Sequence, residues 1–316
     1  MSNKAARKAP KRTPRVSEPK ARRAQKRVKG RGVEKGRAEG AEAEQDERRG
    51  RALGVFDSGI GGLTVAAALR ELMPTESIYY IGDTARVPYG GKSQQTIERY
   101  AIEITGLLLR EDAKVIVVAC NTASALAIPK LEELYKVPII GVIEPGARAA
   151  VAATRKGHVG VMGTRATMYS KAYETAIHAI DPEVRVSSQA CPMLVPLIEE
   201  GWLDDTITDQ IIRRYLEKLV RAEVDTLVLG CTHYPLLKEA IQRYVGPEVT
   251  LVDSAYNCAA AVKKLLAEAE LSAHEEQPGK LQVALTDRSD KFLRVAEEAL
   301  GLQVGDVQLL TVQQAG

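Results

Sequence analysis

Two of the four cysteines stand in matching surroundings. Cys120 follows the apolar run of VVACNTAS and Cys231 that of VLGCTHYP, each trailed by Asn or Thr and then Thr or His. A thiol so placed is half out of a core, with amide and hydroxyl donors beside it that suit a carboxylate. One such cysteine taken alone is usually a small buried residue. Two in equivalent contexts ask for a chemistry with two equivalent bases, and inversion at a carbon acid is that chemistry. One thiolate removes the proton while the opposite thiol delivers another to the far face, each within hydrogen-bond reach of the same carbon. Each thiol must be convertible to thiolate, which calls for local hydrogen bonds or positive potential. Positioned proton transfer contributes about 10²–10⁴-fold. The rest must come from stabilising a carbanionic transition state where water is excluded.

The polar residues nearby fit as helpers or as plain structure. His233 lies two residues after Cys231, in CTH, and is one of four histidines. A lone histidine is usually structural, but this one stands beside the second thiol. Asp57 ends the run VFDSGIGG and is either a helix cap or a functional acid. Gly59, Gly61 and Gly62 after it permit a tight turn whose N–H groups suit a carboxylate at a helix N-terminus. GIGG lacks GxGxxG spacing, so it is no dinucleotide fingerprint. In GDTARVPYGGKS at 82–93, Tyr89 and Gly90 offer a backbone N–H and an aromatic wall, or an ordinary connection. Glu199 is a supporting acid or a solvated helix residue. Cys191 and Cys258 sit in apolar company and read as core.

Positioning these residues requires strands that end where the chemistry is. Apolar, β-branched runs recur at 53–57, 77–83, 114–121, 138–144, 158–164, 184–191, 225–232 and 250–254. Between them lie helical periods: Ile97, Ala101, Ile104 and Leu108 make one face, and Ile207, Ile211, Ile212, Leu216 and Leu219 another. Continuous apolar strands alternating with amphipathic helices predict an α/β fold with mainly parallel sheets flanked by helices. A weak repeat runs from Asp57 to Cys120 over 63 residues and from Gly163 to Cys231 over 68. It predicts two pseudo-symmetric domains, residues 52–147 plus about 255–316 and residues 148–254, with the site in the cleft at the strand ends. A last strand and helix from 281 onward should return to the first domain.

The 316 residues, 45% of them apolar, suit two domains with sizeable cores. The net charge of +3 is uneven: residues 1–50 hold 17 Lys and Arg against 7 Asp and Glu, while the remainder is acidic. Residues 1–51 have almost no large apolar side chains and are expected to be a disordered basic extension. Any nucleic-acid contact is left to that extension, since an acidic body argues against one elsewhere. No run reaches the roughly 20 apolar residues of a membrane span. The N-terminus lacks a secretory h-region, so no membrane contact and a cytoplasmic location are expected. Without CxxC spacing the cysteines read as thiols, with no bridges and no metal ligand set. A pyridoxal enzyme would need a Schiff-base lysine and phosphate cradle, and no convincing pair is present, so no cofactor is expected.

Six stretches carry a family resemblance: GVFDSGIGGLTV at 54–65, GDTARVPYG at 82–90, ACNTASA at 119–125, GVIEPG at 141–146, CPMLVPLIE at 191–199 and LGCTHYPLL at 229–237. In order and spacing, over roughly residues 52–303, they resemble the glutamate racemases of the aspartate/glutamate racemase family. The resemblance implies that Cys120 is the base toward D-glutamate and Cys231 toward L-glutamate, with Asp57, His233 and Glu199 in support. It implies substrate contacts at Asp57, Ser58, Tyr89, Gly90, Asn121, Thr122, Thr164, Thr167, Thr232 and His233. It also implies a homodimer and D-glutamate for peptidoglycan precursors. The alternatives are a related aspartate racemase, or a nucleic-acid- or gyrase-binding regulator. The basic extension departs from the family's usual pattern.

Overall fold

Short apolar runs bounded by Gly, Asp or Pro become strands, ten in all among the described residues. The computed structural model describes residues 43–274, 277–288, 301–302, 304 and 306–312. The strands are β1 (Leu53–Asp57), β2 (Ile78–Gly82), β3 (Val115–Val118), β4 (Ile139–Gly141), β5 (His158–Gly163), β6 (Arg185–Ala190), β7 (Thr226–Gly230), β8 (Thr250–Asp253), β9 (Leu281–Leu285) and β10 (Val307–Leu309). They form a six-stranded sheet, β10-β9-β2-β1-β3-β4, and a four-stranded sheet, β6-β5-β7-β8. Every pairing is parallel. β1, β2, β3, β5 and β7 are buried along their whole length. Helices cover both faces, so these strands show no polar alternation.

In the first sheet, alternate residues of β1 and β3 serve opposite layers. Leu53, Val55, Val115 and Val117 pack with Leu63 and Leu69 of the helix Leu63–Leu72 and Val262 and Leu266 of the helix Ser254–Glu268. Phe56, Ile116 and Val118 face Ile97, Ile104 and Leu108 of the helix Gln94–Arg110. Each such side chain stabilises the fold by about 1.5–3 kcal/mol. Ser93 opens the helix Gln94–Arg110 by accepting from Thr96 N at 3.4 Å. In the helix Thr206–Arg221 the buried residues are Thr208, Ile212, Leu216 and Leu219. Ile207, counted into that face from sequence, is exposed, because it lies about 140° around the helix from Ile212.

The helix Ile143–Ala153 packs on the second sheet and the helix Ser254–Glu268 on the first. The chain therefore passes from one layer system to the other at Val142 and returns at Asp253–Ser254. β9 then pairs with β2, and β10, which no sequence pattern announced, extends the edge over three residues. The helical stretch expected after β9 falls on residues outside those described, as do residues 1–42 of the basic extension. Residues 43–50, included in the expected disorder, are helical. Glu47 and Arg51 pair across one turn at 3.0 Å, and Lys114 donates to Arg49 O at 2.6 Å. Among the described residues no helix is long and apolar enough to cross a membrane.

Candidate active site

Parallel strands end on one side, so the residues after β1, β3, β5 and β7 collect at the same edges. The register Phe56↔Val118 sets Asp57 beside Ala119, with Ser58 and Cys120 next in line. The register Gly163↔Gly230 sets Thr164 level with Cys231. Where the two edges meet lies a cavity of about 30 Å³, lined by Ser58, Tyr89, Gly90, Cys120, Asn121, Thr122, Thr164, Cys231, Thr232 and His233. Pro88 and Val195 complete the lining. Neither was singled out in the sequence, where each is one apolar residue among many. The helix Asn121–Leu126 starts at Cys120 and the chain turns directly after β7 at Cys231. Both thiols thus sit at strand ends, 5% and 6% exposed.

The thiols have different partners. Cys120 donates to Ser58 Oγ at 3.7 Å. Its burial, and next the charge of Asp57, push the thiol up to about 12, against the opposing hydrogen bonds of Ala123 N–H and Ser58. Cys231 Sγ lies 3.9 Å from His233 Nδ1, and His233 Nε2 lies 3.3 Å from Glu199 Oε1. That second approach is an ion-pair contact and not a well-directed hydrogen bond. Burial alone would lower the imidazole's pKa, but the contacts with Cys231 and Glu199, and then the charges of Cys231 and Asp57, raise it to about 10.

Asp57, Thr167 and Glu199 do not line the cavity. Asp57 is fully buried, and its Oδ2 accepts from Gly59 N and Gly62 N, both at 3.0 Å. The N–H groups of the glycine turn, expected to face an external carboxylate, are therefore directed in part at the chain's own aspartate. A Cβ at Gly62 would lie 2.3 Å from Asp57 Cβ, so only glycine lets that carboxylate sit inside the turn. Asp57 Oδ1 accepts from Thr232 Oγ1 at 3.4 Å, which ties the two sheets' edges together. Thr122, Thr164 and Thr167 form a hydroxyl cluster with Oγ separations of 3.0, 3.3 and 2.9 Å. Thr164 also caps the helix Arg165–Ser170. Behind the cavity, Tyr89 donates to Asp83 Oδ2, which Arg86 also engages, while Thr286 donates to Asp83 Oδ1 at 2.8 Å. Asp83 was legible only as one letter of a polar loop. Among the described residues no group of three or more His, Cys, Asp and Glu side chains is placed to hold a metal ion.

With this geometry in place, the chain matches the family described as Asp/Glu/Hydantoin racemase over residues 63–264. It is 49% identical to the glutamate racemase of Geobacter metallireducens, over 83% of this chain and 97% of that one. Among solved structures it resembles the glutamate racemase isoform RacE1 of Bacillus anthracis, with a TM-score of 0.80, 39% identity, and coverage of 83% and 98%. The Francisella tularensis glutamate racemase, solved in complex with D-glutamate, gives a TM-score of 0.79 at 35% identity, covering 84% and 99%.

Proposed function

Because the chain belongs to the Asp/Glu/hydantoin racemase family, among its glutamate racemases, we propose that it interconverts L- and D-glutamate by cofactor-independent proton transfer between two thiols. The observation that carries the mechanism is that Cys120 and Cys231, from different sheets, line one cavity. The thiolate of one cysteine takes the proton from Cα, and the carbanion delocalises into the α-carboxylate. The opposite thiol then gives its proton to the other face. One C–H bond breaks as an S–H bond forms at the first cysteine, and one S–H bond breaks at the second as the new C–H bond forms, so the enzyme is left with the protonation of its two cysteines exchanged. Cys231 acts on L-glutamate and Cys120 on D-glutamate.

The assigned contacts follow from charge and reach. Donors from Asn121, Thr122 and Thr232 hold one carboxylate, and Thr164, braced from behind by Thr167, and the Tyr89–Gly90 backbone hold the other. Ser58 turns its hydroxyl between Cys120 and the ligand, and Asp57 lends negative charge that favours the ammonium group. His233 exchanges a proton with Cys231, and Glu199 steadies the imidazolium. A cavity of about 30 Å³ has room for little more than water, so glutamate enters only when the two edges part. The D-glutamate supplies peptidoglycan precursors in the cytoplasm, and the working unit is a homodimer.

Proton NMR of the purified, reduced protein with L-glutamate in D₂O, without added cofactor, tests this reading. The α-proton signal should vanish as D-glutamate accumulates. A folded protein that leaves the signal intact overturns it.

A further inference from the structure

Tyr173 carries no motif and does not line the cavity, yet it reaches the site through one buried bond. Its hydroxyl donates to Asn121 Oδ1 at 2.7 Å, and both residues are 2% exposed. Asn121 Nδ2 is buried and has no hydrogen-bond partner among the described residues, whereas buried amide donors are nearly always paired. Asn121 itself lines the cavity between the two cysteines. We propose that Tyr173 is a positioning residue for the reaction: by occupying the amide oxygen of Asn121, it fixes the side chain so that its N–H donors are the groups offered to a substrate carboxylate.

The need for such a partner lies in the amide's shape. The two ends of an asparagine side chain are nearly equal in size, but one donates and the other only accepts. An unrestrained amide can present its oxygen to an anion, which repels it. A phenol held on the oxygen removes that orientation. The tyrosine is itself firmly placed. A Cβ at Gly146 or Gly230 would come within 3.2 or 3.1 Å of its ring atoms, so the backbone lies flat against both edges. Burial keeps the phenol protonated, pushed well above its ordinary range, so it remains a donor. The tyrosine belongs to the helix Ala172–Ile180 beside the second sheet and the asparagine opens the helix Asn121–Leu126 beside the first. The bond thus joins the two sides of the site.

The inference rests on the carboxylate contact assigned to Asn121 above. Its test is a double-mutant cycle of Tyr173→Phe and Asn121→Ala, reading KM and kcat for L-glutamate, with thermal melts of all four proteins. Tyr173→Phe keeps the ring and its packing. It should raise KM about five- to tenfold with a smaller change in kcat, as expected for one lost hydrogen bond. In the Asn121→Ala background the same substitution should change KM less than twofold. An equal effect in both backgrounds overturns the inference while leaving the asparagine contact standing. An Asn121→Ala protein with unaltered KM overturns the contact and the inference with it. If Tyr173→Phe lowers the melting temperature markedly, the cycle is repeated well below that variant's melting temperature, where all four proteins are folded. Full additivity there overturns the inference as well.

Discussion

The two cysteines carry unequal electrostatic surroundings, and this asymmetry makes their separate roles measurable. Cys120 has a hydroxyl and a carboxylate for neighbours, whereas Cys231 has an imidazole backed by Glu199. Cys120→Ala and Cys231→Ala should each lower racemisation by at least about a thousandfold, since each removes one of two obligatory proton carriers. The remaining thiol still exchanges the proton on its own face. In D₂O, Cys120→Ala should therefore wash deuterium into L-glutamate, and Cys231→Ala into D-glutamate, each with retention. Comparable racemisation left in both variants would sink the two-base mechanism. His233 provides a second check through stability. Its pKa rises from 6.5 to about 10 on folding, so the folded state holds this proton more tightly than the unfolded one. The contribution is complete below about 6.5 and is lost as pH climbs toward 10. Cys120, raised from 9.0 to about 12, works in the same direction but only above 9. Urea unfolding between pH 6.5 and 9 should show stability falling in the native protein and a flatter profile in His233→Asn. A slope unchanged by the substitution would show that the proton resides elsewhere.

At the scale of elements, the strands were legible because burial on both faces made them continuous apolar runs, and the long helices because their apolar period matched 3.6. β10 was not, since three half-exposed residues carry no period. Cys120 and Cys231 were legible through their shared context. Tyr173 and Asp83 were not, because Tyr173 acts on a residue 52 positions away and Asp83 joins Tyr89 to Thr286, 203 positions beyond it. The connection from the helix Ile143–Ala153 into β5 illustrates a further silent feature. Asp225, buried just ahead of β7, accepts from Thr154 Oγ1, Arg155 N and Lys156 N, each at 2.6 Å. Burial raises its carboxyl pKa, but these bonds outweigh that and hold it below its usual range. Asp225→Ala leaves two backbone donors without their acceptor and should cost about 2–3 kcal/mol. Chemical denaturation measures this, and a loss under about 0.5 kcal/mol would mean that water replaces the carboxylate at no cost.

For the molecule as a whole, the site exists only where two separately wound sheets bring their edges together. Gly90, on the first side, meets Thr164, on the second, so closely that a Cβ there would lie 2.6 Å from Thr164 Cβ. Gly90→Ala should hold the edges slightly apart and lower kcat/KM on the order of tenfold to a hundredfold, with little change in melting temperature. Steady-state kinetics beside a thermal melt decide it, and wild-type kinetics would show that this approach is not needed for turnover. The two-sheet architecture was foreseeable from the repeat, but the closeness of that approach depends on backbone geometry that no residue pattern encodes. The strand order has a consequence for synthesis. β2 is flanked by β1 and β9, and β9 leaves the ribosome about 200 residues after β2, roughly 10–40 s later at ordinary translation speed. Throughout that interval one side of β2 has unpaired backbone groups, an edge open to pairing with another nascent chain. The second sheet, whose strands all lie between residues 158 and 253, is complete by then. Slow translation or slow chaperone capture should therefore damage the first sheet, through its late-arriving strand, before it touches the second.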